Sequence, residues 1–325
     1  MPSFKDILLF LSGVTLFSIP SAYGIEIKGQ EFNFSLSQTY YQTSTNEFLI
    51  EGSDDGTFQW TEGVVNTLKT FDKLQIGAQL LVRDFGQEGN FRADLDWGYA
   101  DYAFNNLLGV RLGRMRLPFG LGNEYRDVDA ARMEILMPQV FNPEDFRSAA
   151  ASYHGLGLYG TYRTRKLGSL QYQAFWGNNT IHDDFFIPRQ AQKQFNSPST
   201  GMNTKYIGGL QLTWHTPYEG LKFSYSNLNY KGHLNIHPTG TAIYDDQGLT
   251  LSIIWHLASL EFNRGPWTVS AEYLNRNNNN IYGPVIRNLP TIGTQNYDDD
   301  DTVSFYLRVR RQLTEKLGIF VSYGE

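Results

Sequence analysis

The sequence contains no cysteine among its 325 residues. This absence excludes disulfide frameworks, cysteine nucleophiles and thiolate-bound metals, and it suits an oxidising compartment in which free thiols are a liability. Charged residues are also scarce, at 18% against about 25% in an average soluble chain. Because the net charge is −6, there is no basic excess to neutralise phosphates, and nucleic acid is not an expected partner.

Long apolar runs are missing as well. No run approaches the ~18 residues of a membrane-spanning helix, and the mean hydropathy is −0.38, so a helical membrane protein is excluded. Membrane-spanning strands are not excluded, because their apolar residues alternate with polar ones and cancel in a hydropathy average. Aromatic residues reach 15%, and there are 31 glycines, a composition that favours pleated sheet and turns over helices.

Residues 1–24 have the layout of a secretory signal peptide. Lys5 stands near the start, an apolar stretch covers 7–19, and Ala22 and Gly24 have the small-x-small spacing of a cleavage site. The segment predicts export and cleavage after Gly24. The alternative is a buried first helix of a cytosolic protein.

Beyond Glu31 the dominant hydrophobic period is two, in segments of about ten residues. In one segment the apolar parity is Leu74, Ile76, Ala78, Leu80 and Val82, and the opposite parity is Gln75, Gly77, Gln79 and Arg83. Aromatic Phe71 and Phe85 flank this stripe, as expected for a strand that crosses a bilayer. Thirteen candidate strands follow the rhythm: 32–41, 57–69, 74–86, 91–104, 107–116, 155–165, 169–177, 204–215, 221–230, 252–263, 266–276, 302–313 and 317–323.

The links between these strands alternate in length. Short links fall after every second strand, at 71–73, 105–106, 166–168, 217–220, 263–265 and 314–316. Longer links lie between them, at 42–56, 117–154, 178–203, 231–251 and 277–301, with 85–90 as the exception. This alternation is typical of outer-membrane barrels, whereas a soluble sandwich gives no reason for it. We therefore expect an all-β fold, a transmembrane antiparallel β-barrel over residues 25–325.

Thirteen is an awkward number, because single-chain bacterial barrels have even strand counts. One interpretation is an incomplete barrel that is short by one or three strands. The competing interpretation is an intact barrel of fourteen strands, with one strand overlooked around 242–256.

The segment 111–141 departs from the period of two and concentrates charge. Here the sequence resembles the outer-membrane porins of Gram-negative bacteria, in particular the phosphate-selective-like and related trimeric porin group. The run GRMRLPFGLGNEYRD (113–127), the strand ADLDWGYADY (93–102) and the signal peptide carry the resemblance. It implies roughly sixteen strands when complete and an aqueous channel. It further implies a homotrimer in the outer membrane, in contact with lipid and lipopolysaccharide, with no cofactor.

The resemblance places residues 117–154 as a loop that folds into the barrel and narrows the pore. The expected constriction residues are Arg114, Arg116, Glu124, Arg126, Asp127, Asp129 and Arg132. Opposed charges at a narrow point would filter solutes by size and charge. Alternatively, the loop charges pair with one another and hold the loop's fold. Arg114 and Arg116 share the parity of apolar Leu112, so we expect them at the rim, after a bulge or against a neighbouring subunit.

The polar parity of the strands predicts the remaining channel wall. Its predicted charged residues are Arg83, Arg92, Arg111, Arg163, Lys222, Arg308 and Arg310, against Asp94, Asp96, Glu261 and Glu272. Seven cations against four anions predict a mild anion preference.

The sequence therefore favours a passive channel for small hydrophilic solutes and ions, with no enzymatic activity. One alternative is a phospholipase-like barrel enzyme, for which Ser252 and His256 are near each other in sequence. The other is a surface β-protein without a channel. The asparagine run 277–280 and the aspartate run 298–301 are expected in exposed loops. The six histidines have no metal-ligand spacing, so no metal site is expected.

Overall fold

The computed structural model describes residues 14–43, 50, 52–86, 88–123, 147, 151–181, 189, 199–236, 244–286, 295–314 and 317–324. Every element with described bounds is a β-strand. The strands are β1 (Val14–Ile27), β2 (Gln30–Thr43), β3 (Trp60–Phe71), β4 (Leu74–Phe85), β5 (Glu88–Asn105), β6 (Leu108–Arg116), β7 (Ser152–Thr164), β8 (Gly168–Asn178), β9 (Thr180–Ile181), β10 (Ser199–His215), β11 (Leu221–Ile236), β12 (Tyr244–Arg264), β13 (Trp267–Ile286), β14 (Gln295–Gln312) and β15 (Gly318–Gly324). Within the described ranges, no helix is long and apolar enough to cross a membrane.

The chain divides into two compact units between Ala100 and Asp101, inside β5. In the first unit, neighbouring strands follow the chain order from β1 to β5. In the second unit they follow it from β5 to β15, except that β9 pairs only with β10. The strand pairs with a described register are antiparallel. The predicted all-β antiparallel fold is therefore confirmed.

The thirteen predicted strands all occur, with β1 and β9 in addition. The short links also occur where expected. For example, only Asp72 and Lys73 separate β3 from β4, and only Gly265 and Pro266 separate β12 from β13. The idea of a further strand around 242–256 is wrong, because that stretch and the predicted strand at 252–263 form the single strand β12.

Four of the predicted long links are shorter than expected, and one of them, 178–203, contains β9 and the start of β10 at Ser199. Strands β12 and β13 have 21 and 20 residues and continue through much of 231–251 and 277–301. The asparagine run lies in β13 and the aspartate run in β14, where Asn277 is opposite Asp301. Both runs are polar at every position, so no alternation marks them as strands. The loop predicted at 117–154 ends earlier as well, because β7 begins at Ser152.

Each unit has an inside-out distribution of side chains. Along β4, Gln79 and Arg83 are buried while Ile76 and Leu80 are exposed. We call the buried side of the strands the polar face and the exposed side the apolar face. In the second unit the polar face includes Asp101, Gln211, Ser224, Ser226, Ser259, Glu261, Ser270, Glu272, Ser304 and Arg308. Its apolar face includes Leu156, Leu158, Leu170, Trp176, Leu210, Leu212, Trp214, Phe223, Tyr225, Trp267, Tyr273, Phe305, Leu307 and Val309.

Strand β1 contains the second half of the predicted signal peptide. It pairs with β2 from Val14 opposite Thr43 to Ile27 opposite Gln30. The signal peptide remains a prediction. Cleavage after Gly24 would leave only residues 25–27 of this pairing.

We expect the exported protein to begin at Ile25, because signal peptidase cleaves after small-x-small sites. Intact-mass spectrometry of protein extracted from membranes measures the start directly. A mature chain that still begins at Met1 would refute the signal peptide.

Candidate functional site

A segment from the start of the long loop crosses the polar face of the second unit. We call this segment, Leu117–Asn123, the loop base. Its first residue is tied to the far end of the loop, because the Leu117 backbone N–H donates to the Ala151 carbonyl at 3.0 Å. The Asn123 side-chain amide donates to the carbonyls of Leu117 at 2.8 Å and Ala151 at 3.2 Å. The two ends of the loop are therefore fastened together.

Side chains from β10, β11, β12 and β13 anchor the loop base. The Gly120 N–H donates to Ser226 Oγ at 3.1 Å, and Gln211 Nε2 donates to the Gly120 carbonyl at 2.9 Å. The Leu121 N–H donates to Glu272 Oε1 at 2.8 Å. That same carboxylate oxygen accepts a hydrogen bond from Ser259 Oγ at 2.7 Å. We call Gln211, Ser226, Ser259 and Glu272 the anchor cluster.

Glycine is required at position 120 of the loop base. Its φ is +68°, a conformation that residues with a Cβ rarely adopt. A Cβ there would lie 2.9 Å from Leu257 Cδ2 and 3.0 Å from Glu272 Oε1. A side chain at position 120 would therefore strain the backbone and displace the ends of the Leu257 and Glu272 side chains.

The strands beneath the loop base are locally apolar. Leu257 and Leu274 are completely buried although they belong to the polar face. Leu117 and Phe119 of the loop base are also buried, and the Phe119 ring lies 6.1 Å from that of Trp255. Apolar burial and the anchor cluster together fix the loop base on this surface.

The predicted constriction residues fall into two groups. Arg114 and Arg116 are in the last three residues of β6, with buried Met115 between them. Both arginines therefore lie at the end of β6 that leads into the loop base, where Arg114 Nη1 lies 2.7 Å from His154 Nε2 on β7. Glu124, Arg126, Asp127, Asp129 and Arg132 lie outside the described residues.

Charged residues of the wall are paired in the first unit. Arg83 contacts Glu62 at 3.2 Å, and the exposed Arg92 contacts Asp94 at 3.0 Å. Buried Asp96 accepts a hydrogen bond from Gln79 at 2.7 Å. Each predicted wall residue of this unit therefore has a polar partner on a neighbouring strand or two positions along its own strand.

Three of the five predicted wall cations of the second unit lie near a carboxylate. Arg111 contacts buried Asp101 at 2.6 Å, and Lys222 contacts Glu261 at 2.9 Å. Arg308 is one of the charges acting on Glu272. The remaining two predicted wall cations have no carboxylate partner among the described residues. Arg163 is exposed on β7, and Arg310 donates to Gln312 at 2.6 Å.

The described residues of the predicted wall have almost no excess of positive charge. The sequence count missed the carboxylates Glu62, Glu88 and Asp101, which are buried or partly buried on the polar face, and these raise the four counted carboxylates to seven. The count also missed Arg276, whose guanidinium lies 5.1 Å from the Trp255 ring on the polar face, and this residue raises the seven cations to eight. Asp101 was missed because it has the parity of the apolar Leu95, Trp97 and Tyr99, yet it is buried and contacts Arg111 on β6. Hydrophobic period alone gave no signal for its burial.

The structure does not bring Ser252 and His256 together. They stand four residues apart in β12, which separates their Cα atoms by about 13 Å in an extended strand. A serine nucleophile and its base need hydrogen-bond distance. The His256 ring lies instead on the apolar face, where its Nδ1 is 2.7 Å from the Tyr225 hydroxyl.

The chain matches no known family model and no curated protein sequence. It is similar to the solved structure of a loop L8 deletion mutant of OmpT, an outer membrane protein of Vibrio cholerae, at 10% identity. That alignment covers 94% of this chain and 93% of the other, with a TM-score of 0.38. It is also similar to the solved structure of a mutant of the porin of Rh. blastica, at 10% identity over 96% of this chain and 94% of the other, with a TM-score of 0.36.

Proposed function

We propose that this protein is an outer-membrane porin, whose strands form the wall of a water-filled channel. The observation that supports this proposal is the inside-out distribution of side chains. An apolar face that runs over many neighbouring strands is unstable in water, since soluble monomers rarely expose large contiguous apolar patches. The same face is stable against lipid, as in membrane barrels whose strands alternate apolar-out and polar-in.

The polar face supports a channel rather than a solid core. Ion pairs such as Arg111–Asp101 and Lys222–Glu261 lie on it, and charged pairs are costly to bury without water or further hydrogen bonds. A water-filled interior supplies that hydration. The loop base then narrows the channel where it crosses the anchor cluster, and passive diffusion through it requires no catalytic residue or cofactor.

Nearly equal numbers of cations and carboxylates among the described residues of the polar face support weak ion selectivity. They give no support to the mild anion preference expected from the sequence. Pairing further reduces the field at each charge, because neighbouring opposite charges cancel at a distance.

Planar-bilayer recordings in an asymmetric KCl gradient test the proposal. We expect discrete conductance steps and a reversal potential near zero, because the pore is open and its charges are nearly balanced. A detergent-only addition is the control. Protein that inserts without producing steps would refute the channel, and a large reversal potential of either sign would refute the charge balance.

We further propose that the protein forms homotrimers and contacts lipopolysaccharide in the outer membrane. A place for a subunit contact is the row Asn227, His256 and Asn275, which are in register on β11, β12 and β13. They lie on the apolar face, where polar groups are costly against lipid. The proposed number of subunits, three, comes from the resemblance of the sequence to trimeric porins. Native mass spectrometry of the detergent-extracted protein should give three copies, and a monomer would refute the trimer.

A further inference from the structure

Two arginines and two aromatic residues form a cluster at the short-link end of the second unit. We call Tyr218, Arg264, Trp267 and Arg311 the basic-aromatic patch. Arg264 Nη1 donates to the Tyr218 hydroxyl at 2.7 Å, and its guanidinium lies 5.7 Å from the centre of that ring. The Arg311 guanidinium lies 5.1 Å from the centre of the Trp267 ring. Three of these four residues lie side by side on neighbouring strands, because Trp267 on β13 is opposite both Arg264 on β12 and Arg311 on β14.

The basic-aromatic patch lies at the edge of the apolar face. Trp267 is 44% exposed and Tyr218 is 53% exposed. The next residues on the same face, two positions further into β12, β13 and β14, are the apolar Phe262, Val269 and Val309. Aromatic side chains at such an edge are typical of the headgroup level of a membrane.

These two arginines differ from those of the channel wall. Arg83 and Arg111 each contact a carboxylate. Arg264 and Arg311 contact only aromatic rings and a tyrosine hydroxyl among the described residues. A guanidinium stays charged at all physiological pH values. The basic-aromatic patch therefore holds two positive charges that the described part of the chain does not compensate.

We propose that the basic-aromatic patch binds the phosphate of an anionic phospholipid headgroup. Guanidinium groups recognise phosphate oxygens through paired, charge-assisted hydrogen bonds. The Trp267 and Tyr218 rings hold the arginines at headgroup depth, and the acyl chains lie along the apolar residues of β12, β13 and β14. This inference rests on the proposed function, because it requires the apolar face to be in lipid.

The test compares lipid retention by matched variants. The variant R264Q/R311Q removes both charges of the patch. The control R165Q/K166Q removes two exposed charges from the link between β7 and β8, with the same change in net charge. Folded proteins in neutral detergent are incubated with equal amounts of phosphatidylglycerol and phosphatidylcholine, and native mass spectrometry counts the bound lipids. We expect wild type and control to bind more phosphatidylglycerol than phosphatidylcholine. In R264Q/R311Q the ratio of bound phosphatidylglycerol to bound phosphatidylcholine should fall about tenfold.

Parallel insertion into phosphatidylcholine vesicles separates the two proposals. Wild-type protein that inserts but shows no preference for phosphatidylglycerol overturns the lipid site and leaves the channel standing. Protein that does not insert overturns the proposed function and the lipid site with it. Equal losses in R264Q/R311Q and in the control would show a general charge effect and would also overturn the site. If the double variant does not fold, R311Q replaces it, because the described contact of Arg311 is only the exposed Trp267 ring.

Discussion

Replacing Glu272 by alanine should release the loop base and increase the unit conductance of the channel. The carboxylate accepts hydrogen bonds from the Leu121 N–H and from Ser259 Oγ, and Tyr306 is a further hydrogen-bond partner. Alanine leaves these buried groups without an acceptor, at a cost of about 1–3 kcal/mol for each unsatisfied group. Of its hydrogen bonds to the anchor cluster, the loop base then keeps those to Gln211 and Ser226.

Single-channel recording measures the effect, with two control variants. Glu272→Gln keeps a carbonyl oxygen that can accept from Leu121, so its conductance should stay close to that of wild type. Glu261→Ala removes a carboxylate from the same polar face, where it contacts Lys222 and not the loop base. If Glu272→Ala conducts like wild type while remaining folded, the anchor cluster does not hold the constriction.

An arginine on the apolar face should be far more damaging than one on the polar face. Leu210 lies on the apolar face of β10, midway between the aromatic residues Tyr206 and Trp214, and is 36% exposed. Against lipid, Leu210→Arg should cost about 2–4 kcal/mol, the cost of an arginine near the bilayer midplane. This cost follows from placing a permanent charge where no water solvates it.

Gln171→Arg is the matched control, on the neighbouring strand and the opposite face. Gln171 is opposite Thr213 and exposed, so an arginine there would enter the water of the channel at a cost within about 0.5 kcal/mol. Urea unfolding of protein inserted in vesicles compares the two free energies of unfolding. Equal losses, or a larger loss in Gln171→Arg, would mean that lipid does not cover the apolar face.

Much of the fold could be predicted because a strand whose two faces differ in polarity has a hydrophobic period of two. The alternation in β4 and β10 is clear, and their predicted faces agree with the burial in the structure. The parts of β13 and β14 that contain the asparagine and aspartate runs could not be predicted from this alternation. Asn277 and Asp301 belong to stretches that are polar on both faces, so only backbone pairing makes them strands.

The candidate site was harder to predict, because its contacts join residues that are distant in sequence. Sequence reasoning located the loop after β6, but Leu121 reaches Glu272 across 151 positions. Glu272 was assigned to the wall by parity alone. Nothing in the sequence around Glu272 indicates that it accepts a hydrogen bond from the loop base. That contact depends on how β13 is positioned relative to the loop base, which the local sequence does not specify.

The sequence by itself determined the strand pattern, the alternating links and the side of each strand that carries polar groups. These properties depend on neighbouring residues, whose spacing along an extended chain is constant. Only the tertiary structure decided which charges meet and where the loop base lies. Pairs such as Arg111 with Asp101 depend on strand register, and a shift of one residue moves a side chain to the other face. The local hydrophobic pattern therefore specified which face of a strand is polar. Packing between residues distant in sequence specified which side chains contact one another.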